Sequence, residues 1–326
     1  MDNQVINTLL TQDAELIGSF AMVLVTLVLA YQFPLSPAWT PTYYWQRLAR
    51  SLADKTCRPT NSRFQQNLAG TLAALLLIVP FWLIMVLLPT LAYYPWFFEG
   101  IILYISLIGV QVNRVATAIQ TQLLVGNKAL AKLQLHSLVN VDTQALSVIG
   151  ISKLTIESQL TTPARTLLTC LCYFPIGGVA LVLLARMVNE LAFCWPIQHP
   201  RYHAFAQSIT RLNRVLQWLP ELVWQWVMAI LNHQSLPLKA LASTRGESQL
   251  PTSLTIGARS LTTRLGGPVM FDGHKVSRTK IDYGTEPYAA TIAQAASLVR
   301  RSQLFIICLC SSLPLVWISL RVIASS

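Results

Sequence analysis

Between Leu68 and Leu88 the chain carries no charged residue. A helix of that length crosses about 30 Å of hydrocarbon at 1.5 Å per residue, so this run reads as a transmembrane helix. Pro80 interrupts it and predicts a kink. Ile17–Tyr31, Phe97–Val112 and Leu304–Ile323 read the same way. Tyr93, Tyr94, Trp96, Phe97 and Phe98 lie between the second and third runs, where an interfacial aromatic belt at a hairpin turn is expected.

Composition agrees. The 326 residues are 53% hydrophobic and 11% charged, with mean hydropathy +0.50. A soluble domain carries about 25% charged residues. The expected fold class is therefore all-α: one polytopic membrane domain over residues 1–326. It would have about four transmembrane helices, further buried or re-entrant helices, and cytoplasmic helical loops. The segment before the first run carries Asp2, Asp13 and Glu15 where a signal peptide would be basic, so no cleavable signal is expected.

Two runs stay open. Residues 167–185 are apolar but hold Pro175-Ile-Gly-Gly178 at their middle, and residues 218–231 are short, tryptophan-rich and hold Glu221. Each reads as buried, re-entrant or spanning. Charge placement bears on the choice. The net charge is +11, and the polar segments 33–67, 113–165 and 232–302 are all basic, the last with nine Lys or Arg against four acids. The positive-inside rule puts these three in the cytoplasm and the acidic N-terminus outside. Arg186, Arg201, Arg211 and Arg214 would fall outside in a strict six-crossing count, and making 167–185 re-entrant or buried removes that conflict. No block of five or six consecutive basic residues occurs, so nucleic acid is not an expected partner; the lipid bilayer is.

Several chemistries are absent. The chain holds no G-x-x-x-x-G-K-[ST], no H-E-x-x-H and no G-x-S-x-G. The Cys170/Cys172 and Cys308/Cys310 pairs lie in apolar runs, and i,i+2 residues do not face each other on a helix, so they read as packing residues. His199 and His203 have i,i+4 spacing, but Pro200 between them disfavours the regular helix a metal pair would need.

The polar segments hold three motifs in order. The first is Leu138-Val-Asn-Val-Asp142-Thr143 followed by Ile156-Glu157-Ser158. The second is Phe174-Pro-Ile-Gly177-Gly178, then Arg186-Met-Val-Asn189-Glu-Leu, His199-Pro-Arg201-Tyr202, Arg211 and Trp218-Leu-Pro220. The third is Arg264-Leu-Gly266-Gly267-Pro268 running on to Gly273, followed by the helix Ile292–Arg301. In the third, the glycines allow positive φ or close backbone approach, and the proline fixes the exit. Together these segments resemble the CobD/CbiB family of cobalamin biosynthesis, the adenosylcobinamide-phosphate synthases, from about Trp39 to Phe305.

The resemblance implies a ligase of the bacterial inner membrane, multi-pass. It would join a carboxylate of the corrinoid adenosylcobyric acid to aminopropanol or its phosphate through an amide bond, with Mg²⁺ and ATP as implied cofactors. It puts catalysis on Asp142 and Glu157, with Asp142 a candidate Mg²⁺ ligand. Substrate binding falls on Thr143, Asn189, Tyr202, Arg211, Arg264, Gly266, Gly267 and Pro268. Other cobalamin-pathway proteins are implied partners. Asp142, Glu157, Arg211 and Arg264 are expected to converge on one polar pocket floored by Gly266-Gly267-Pro268.

The chain departs from the family pattern at defined places. The arginine before the Asp-Thr pair is Val141, and a His-Pro near the N-terminus reads Thr40-Pro41. The family's acid, asparagine and aspartate fall on Thr161, Thr162 and Arg165. Further acids fall on Ala192, Asn213 and Arg214. An acid replaced by arginine reverses the local charge. A second reading follows from these losses: a non-catalytic membrane sensor or regulator of the same fold, like the AmpE relatives.

Overall fold

A computed structural model describes residues 14–33, 40–58, 60–232 and 250–324. The acidic residues Asp2 and Asp13 lie outside these.

The described chain is mostly helical. The first elements are α1 (Ala14–Gln32), α2 (Pro41–Thr56), α3 (Arg63–Leu91), α4 (Pro95–Ser106), α5 (Val112–Leu124) and α6 (Lys128–Leu135). Next come α7 (Val148–Pro163), a π turn (Ala164–Leu168) and α8 (Thr169–Cys194). The chain continues through α9 (Gln207–Leu231), α10 (Thr252–Ser260), four short strands and α11 (Ala289–Ala324).

Helix α3 begins with a capping box, in which the Ser62 hydroxyl accepts from Gln65 N and the Gln65 side chain accepts from Ser62 N. The helix continues through Pro80. Its outer face leaves Leu72, Leu75, Leu76, Val79, Leu83, Ile84 and Leu87 exposed. A contiguous apolar face of this size is one that lipid covers, not water. Among the described residues, three helices are long and apolar enough to cross a membrane: Arg63–Leu91, Val148–Cys194 and Ala289–Ser312.

The expected helix over 97–112 is not one element. Helix α4 ends at Ser106, Gly109 has φ +95°, and a new helix starts at Val112. Gln111 explains the break: its side-chain amide donates to Ala30 O at 2.6 Å and Tyr31 O at 2.8 Å, closing the end of α1. With 12 residues, α4 rises only about 18 Å.

The second long helix is not a rod. Arg186 Nη1 donates to Arg165 O at 2.8 Å, whereas a straight helix would separate these residues by about 31 Å. The reversal lies at Gly177 (φ −145°, ψ 25°) and Gly178 (φ 57°, ψ −156°). Pro175, Ile176 and Gly177 are exposed at the tip. The segment 167–185 is thus a helical hairpin, braced on α3 by Trp82 Nε1 donating to Ala180 O at 2.8 Å. Cysteines placed at His136 and Arg211, before and after the hairpin, should be labelled from the same side of the membrane by an impermeant maleimide. Labelling from opposite sides would show that the segment crosses.

Helix α9 buries Trp224 completely, and its indole donates to Leu160 O at 2.7 Å, just before the π turn. The same helix exposes Val215, Trp218, Trp226 and Ile230. It is less apolar than the three long helices.

The all-α expectation misses the strands. β1 (Arg264–Gly266) pairs antiparallel with β4 (Lys280–Asp282), and β2 (Val269–Phe271) with β3 (His274–Val276). Between β2 and β3, Asp272 (φ 45°) and Gly273 (φ 80°) form a two-residue turn whose twist matches the strands. Three-residue strands carry too little alternation to register as strands in the sequence.

Three apolar clusters hold these parts together. The largest joins α1, α4, the hairpin, α9 and α11 around Leu160, Leu167, Trp224 and Val299. A second seats α2 and α3 on the descending hairpin arm through Trp195 and Phe205. The third fixes β2 to α5, α6 and α7 through Ile119, Leu135, Ile151 and Phe271.

Candidate functional site

A cavity of about 490 Å³ opens at the foot of the hairpin. One wall is the polar stripe of α7 and the π turn: Glu157, Ser158, Thr161, Thr162 and Arg165. Their spacing of three and four residues puts them on one helical face. The opposite wall is the descending arm, with Arg186, Asn189 and Glu190. Gln46 from α2, Asn213 from α9 and Arg278 from the strand region also line it, with Asn140 and Gln198 among the further polar residues.

Two ion pairs organise the site. Glu157, buried, accepts from Gly266 N with Oε1 at 2.8 Å, and its Oε2 lies 3.1 Å from Arg278 Nη2. Arg278 Nε in turn donates to Gly267 O at 3.1 Å. So the glycine turn is tied to α7 through the Glu157 carboxylate, directly at Gly266 and by way of Arg278 at Gly267. Gly266 has φ +70°, and a Cβ there would meet Thr279 O at 2.3 Å, so only glycine fits. Arg186, equally buried, pairs with Glu190 Oε1 at 3.0 Å and also donates to Arg165 O and to Ile108 O at 3.2 Å. Glu190 Oε2 accepts from Gln46 at 2.9 Å. Arg186 Nε is buried with no partner among the described residues.

Arg165 lies in the π turn that follows Pro163, and its carbonyl accepts from Arg186 Nη1. The Arg165 side chain makes no hydrogen bond or ion pair among the described residues. Burial pushes the Glu221 carboxyl on α9 above the usual range, and the charge of Arg165 offsets only part of that.

Of the residues the motifs single out, Glu157 and Asn189 line the cavity. Asn189 Nδ2 donates to Asn213 Oδ1 at 3.4 Å. Gly266 and Gly267 sit behind Glu157 and Arg278, and Pro268 is exposed beside them. The other residues lie elsewhere, so the expected convergence of Asp142, Arg211 and Arg264 with Glu157 does not occur. Asp142 closes a local turn, its Oδ1 accepting from Gln144 N at 2.9 Å, and its own N–H donates to Met270 O at 2.9 Å. Thr143 is buried beside it. Tyr202 packs in the α2–α3 cluster against His199 and Phe205. Arg211 is exposed on α9. Arg264 bonds Asp282 at 2.7 Å and lies 3.8 Å from Glu286. That bond holds the Asp282 carboxyl below the usual carboxylate range and raises the Arg264 guanidinium.

His199 is no metal ligand. Its Nδ1 accepts from Arg201 N at 3.1 Å, so Nε2 carries the proton and donates to Asp272 Oδ2 at 3.0 Å. The positions where the resemblance expects acids or asparagine behave differently: Thr161, Thr162, Arg165, Ala192 and Asn213 all line the cavity, and Arg214 does not. The motifs did not single out Glu190, although one of them contains it, nor Arg278. A signal for the first existed: Arg186 and Glu190 are an i,i+4 pair of opposite charges in an apolar stretch.

Mg²⁺ asks for oxygen ligands in near-octahedral order, chiefly carboxylates. The cavity's two carboxylates are each held by an arginine. Among the described residues no cluster of three or more His, Cys, Asp or Glu could hold a metal. The donor set does not fit Mg²⁺.

An apolar helical protein of membrane type, with a charged cavity at the foot of a helical hairpin, is the class these features define. The chain belongs to the CobD/CbiB family: the family described as CobD/Cbib protein matches residues 23–299. It is 24% identical to the "Cobalamin biosynthesis protein CobD" of Chromobacterium violaceum, over 81% of this chain and 87% of that one. The protein of the same name from Stutzerimonas stutzeri is 25% identical, over 71% and 77%. That of Listeria monocytogenes serovar 1/2a is 26% identical, over 63% and 68%. No solved structure matches the chain.

Proposed function

We propose that this chain is a membrane-bound cobalamin-biosynthesis protein that forms an amide between adenosylcobyric acid and aminopropanol or its phosphate at the cavity below the hairpin. The observation that carries this is spatial. Two separate motifs bring Glu157 and Asn189 to one cavity, and the third braces it through Gly266 and Gly267. The cavity's cations suit anionic partners, a corrinoid carboxylate and a phosphate. In this reading Glu157 and Asn189 face the substrate, Arg278 and the glycine turn position Glu157, and Asp142, Thr143, Tyr202, Arg211 and Arg264 act from outside the cavity wall. ATP activation of the carboxylate enters by family resemblance alone, and no step here runs through a metal. The bacterial inner membrane is the proposed location. The relatives described above all carry the cobalamin name, and the AmpE-like reading has no support among them.

The test is complementation. In a strain lacking its own CobD, the chain should restore cobalamin synthesis from cobyric acid. Wild-type chain present in the membrane without restored synthesis would reject the amide-forming activity.

A further inference from the structure

Three arginines line the cavity, but only two carboxylates do. Glu157 pairs with Arg278, and Glu190 with Arg186. Arg165, half-buried, lies beside Arg186, whose Nη1 donates to its carbonyl at 2.8 Å. A third guanidinium there adds like charge in a partly buried place, and it calls for a counter-charge. The family pattern places an aspartate at this position, so the need is this chain's own.

Helix α9 lies across the π turn in a register that two contacts fix. Gln217 Nε2 donates to Thr169 Oγ1 at 3.3 Å, and Trp224 Nε1 donates to Leu160 O at 2.7 Å. Glu221 comes four residues after the first and three before the second, so it shares their face. It therefore faces the stretch between Leu160 and Thr169, where Arg165 sits. Neither Glu221 nor the Arg165 side chain has a hydrogen bond or a contact ion pair among the described residues. Burial disfavours the ionised form of Glu221, and the charge of Arg165 is what favours it.

We propose that Glu221 is a positioning residue: its carboxylate is the counter-charge that holds the Arg165 guanidinium at the cavity wall. Each arginine of the wall then has its own carboxylate, two inside the cavity and one behind the π turn. Glu221 does not line the cavity and acts only through Arg165. This rests on the reading of the cavity as the substrate site.

The test treats the purified full-length protein in detergent with phenylglyoxal, which attacks a guanidine that has lost its proton. Peptide mass spectrometry follows each arginine separately. A nearby carboxylate raises a guanidinium's pKa by about one unit, so Glu221→Gln should speed modification of Arg165 about tenfold. Glu221→Asp, which keeps the charge, should stay near the wild-type rate, and Arg186 and Arg278 should not change. An Arg165 that reacts equally fast in wild type and Glu221→Gln overturns the proposal. If all three arginines react faster, the fold has loosened and charge reversal decides. Arg165→Glu and Glu221→Arg should each lower the unfolding midpoint, and the double reversal should recover most of the loss. A double variant no more stable than the weaker single one overturns the pairing. Where the wild-type chain restores cobalamin synthesis, Glu221→Gln should reduce it and Glu221→Asp should retain it. Synthesis unaffected by Glu221→Gln would overturn the positioning role. A wild-type chain that fails to complement rejects the amide-forming reading alone, and the labelling still decides whether Glu221 holds Arg165.

Discussion

Glu157→Ala is expected to cost about 3–5 kcal/mol of folding stability, the range for breaking a buried ion pair from one side. The loss has two sources. Arg278 would be left nearly buried without its carboxylate, and Gly266 N would lose its acceptor. The glycine turn would then lose its tie to α7, leaving the strand region held there by the Lys153–Glu286 ion pair and the apolar cluster around Phe271. The unfolding midpoint in detergent measures this. A double-mutant cycle with Arg278→Ala makes it specific, since the two losses should be strongly non-additive. A loss under about 1 kcal/mol, or simple additivity, would show that the pair does not hold the turn.

Arg186→Met should be comparably damaging, again about 3–5 kcal/mol. It strips Glu190 of its cation, leaves it only Gln46, and abandons the carbonyls of Arg165 and Ile108. Those bonds tie the two hairpin arms to each other and to the break after α4. Adding Glu190→Leu should recover much of the loss, because replacing a whole buried pair by apolar groups is often neutral. If the double variant is as unstable as Arg186→Met alone, the guanidinium matters through its backbone contacts and not through the pair.

Much of the helical framework was legible in the sequence. Residues 17–31, 68–88 and 304–323 each lie inside one helix, because an uninterrupted apolar run leaves the backbone no partner but itself. The run at 97–112 looked the same and is broken. Its break is tertiary: Gln111 closes a helix that ends near Tyr31, far away in sequence. Hydropathy cannot report such a contact. Pro175-Ile-Gly-Gly178 did signal a reversal, since a left-handed glycine ends a helix.

The site was legible in parts only. Motif order found Glu157 and Asn189, but order along the chain is not proximity, and Asp142 and Arg211 point to other work. Arg165 stood out only as a departure from the family. Its position on the π turn, opposite Arg186, required the extra residue in that turn, and no pattern of residue types announces one.

The hairpin also bears on biogenesis. A straight 148–194 segment would send Arg186 and everything after it through the translocon, at about 2.5–3.5 kcal/mol for each arginine at the bilayer centre. Folded back at Gly177-Gly178, the segment keeps Arg165 and Arg186 side by side at its base, so neither guanidinium need be translocated. The hairpin also meets a helix that precedes it in the chain, where Trp82 of α3 donates to Ala180 O.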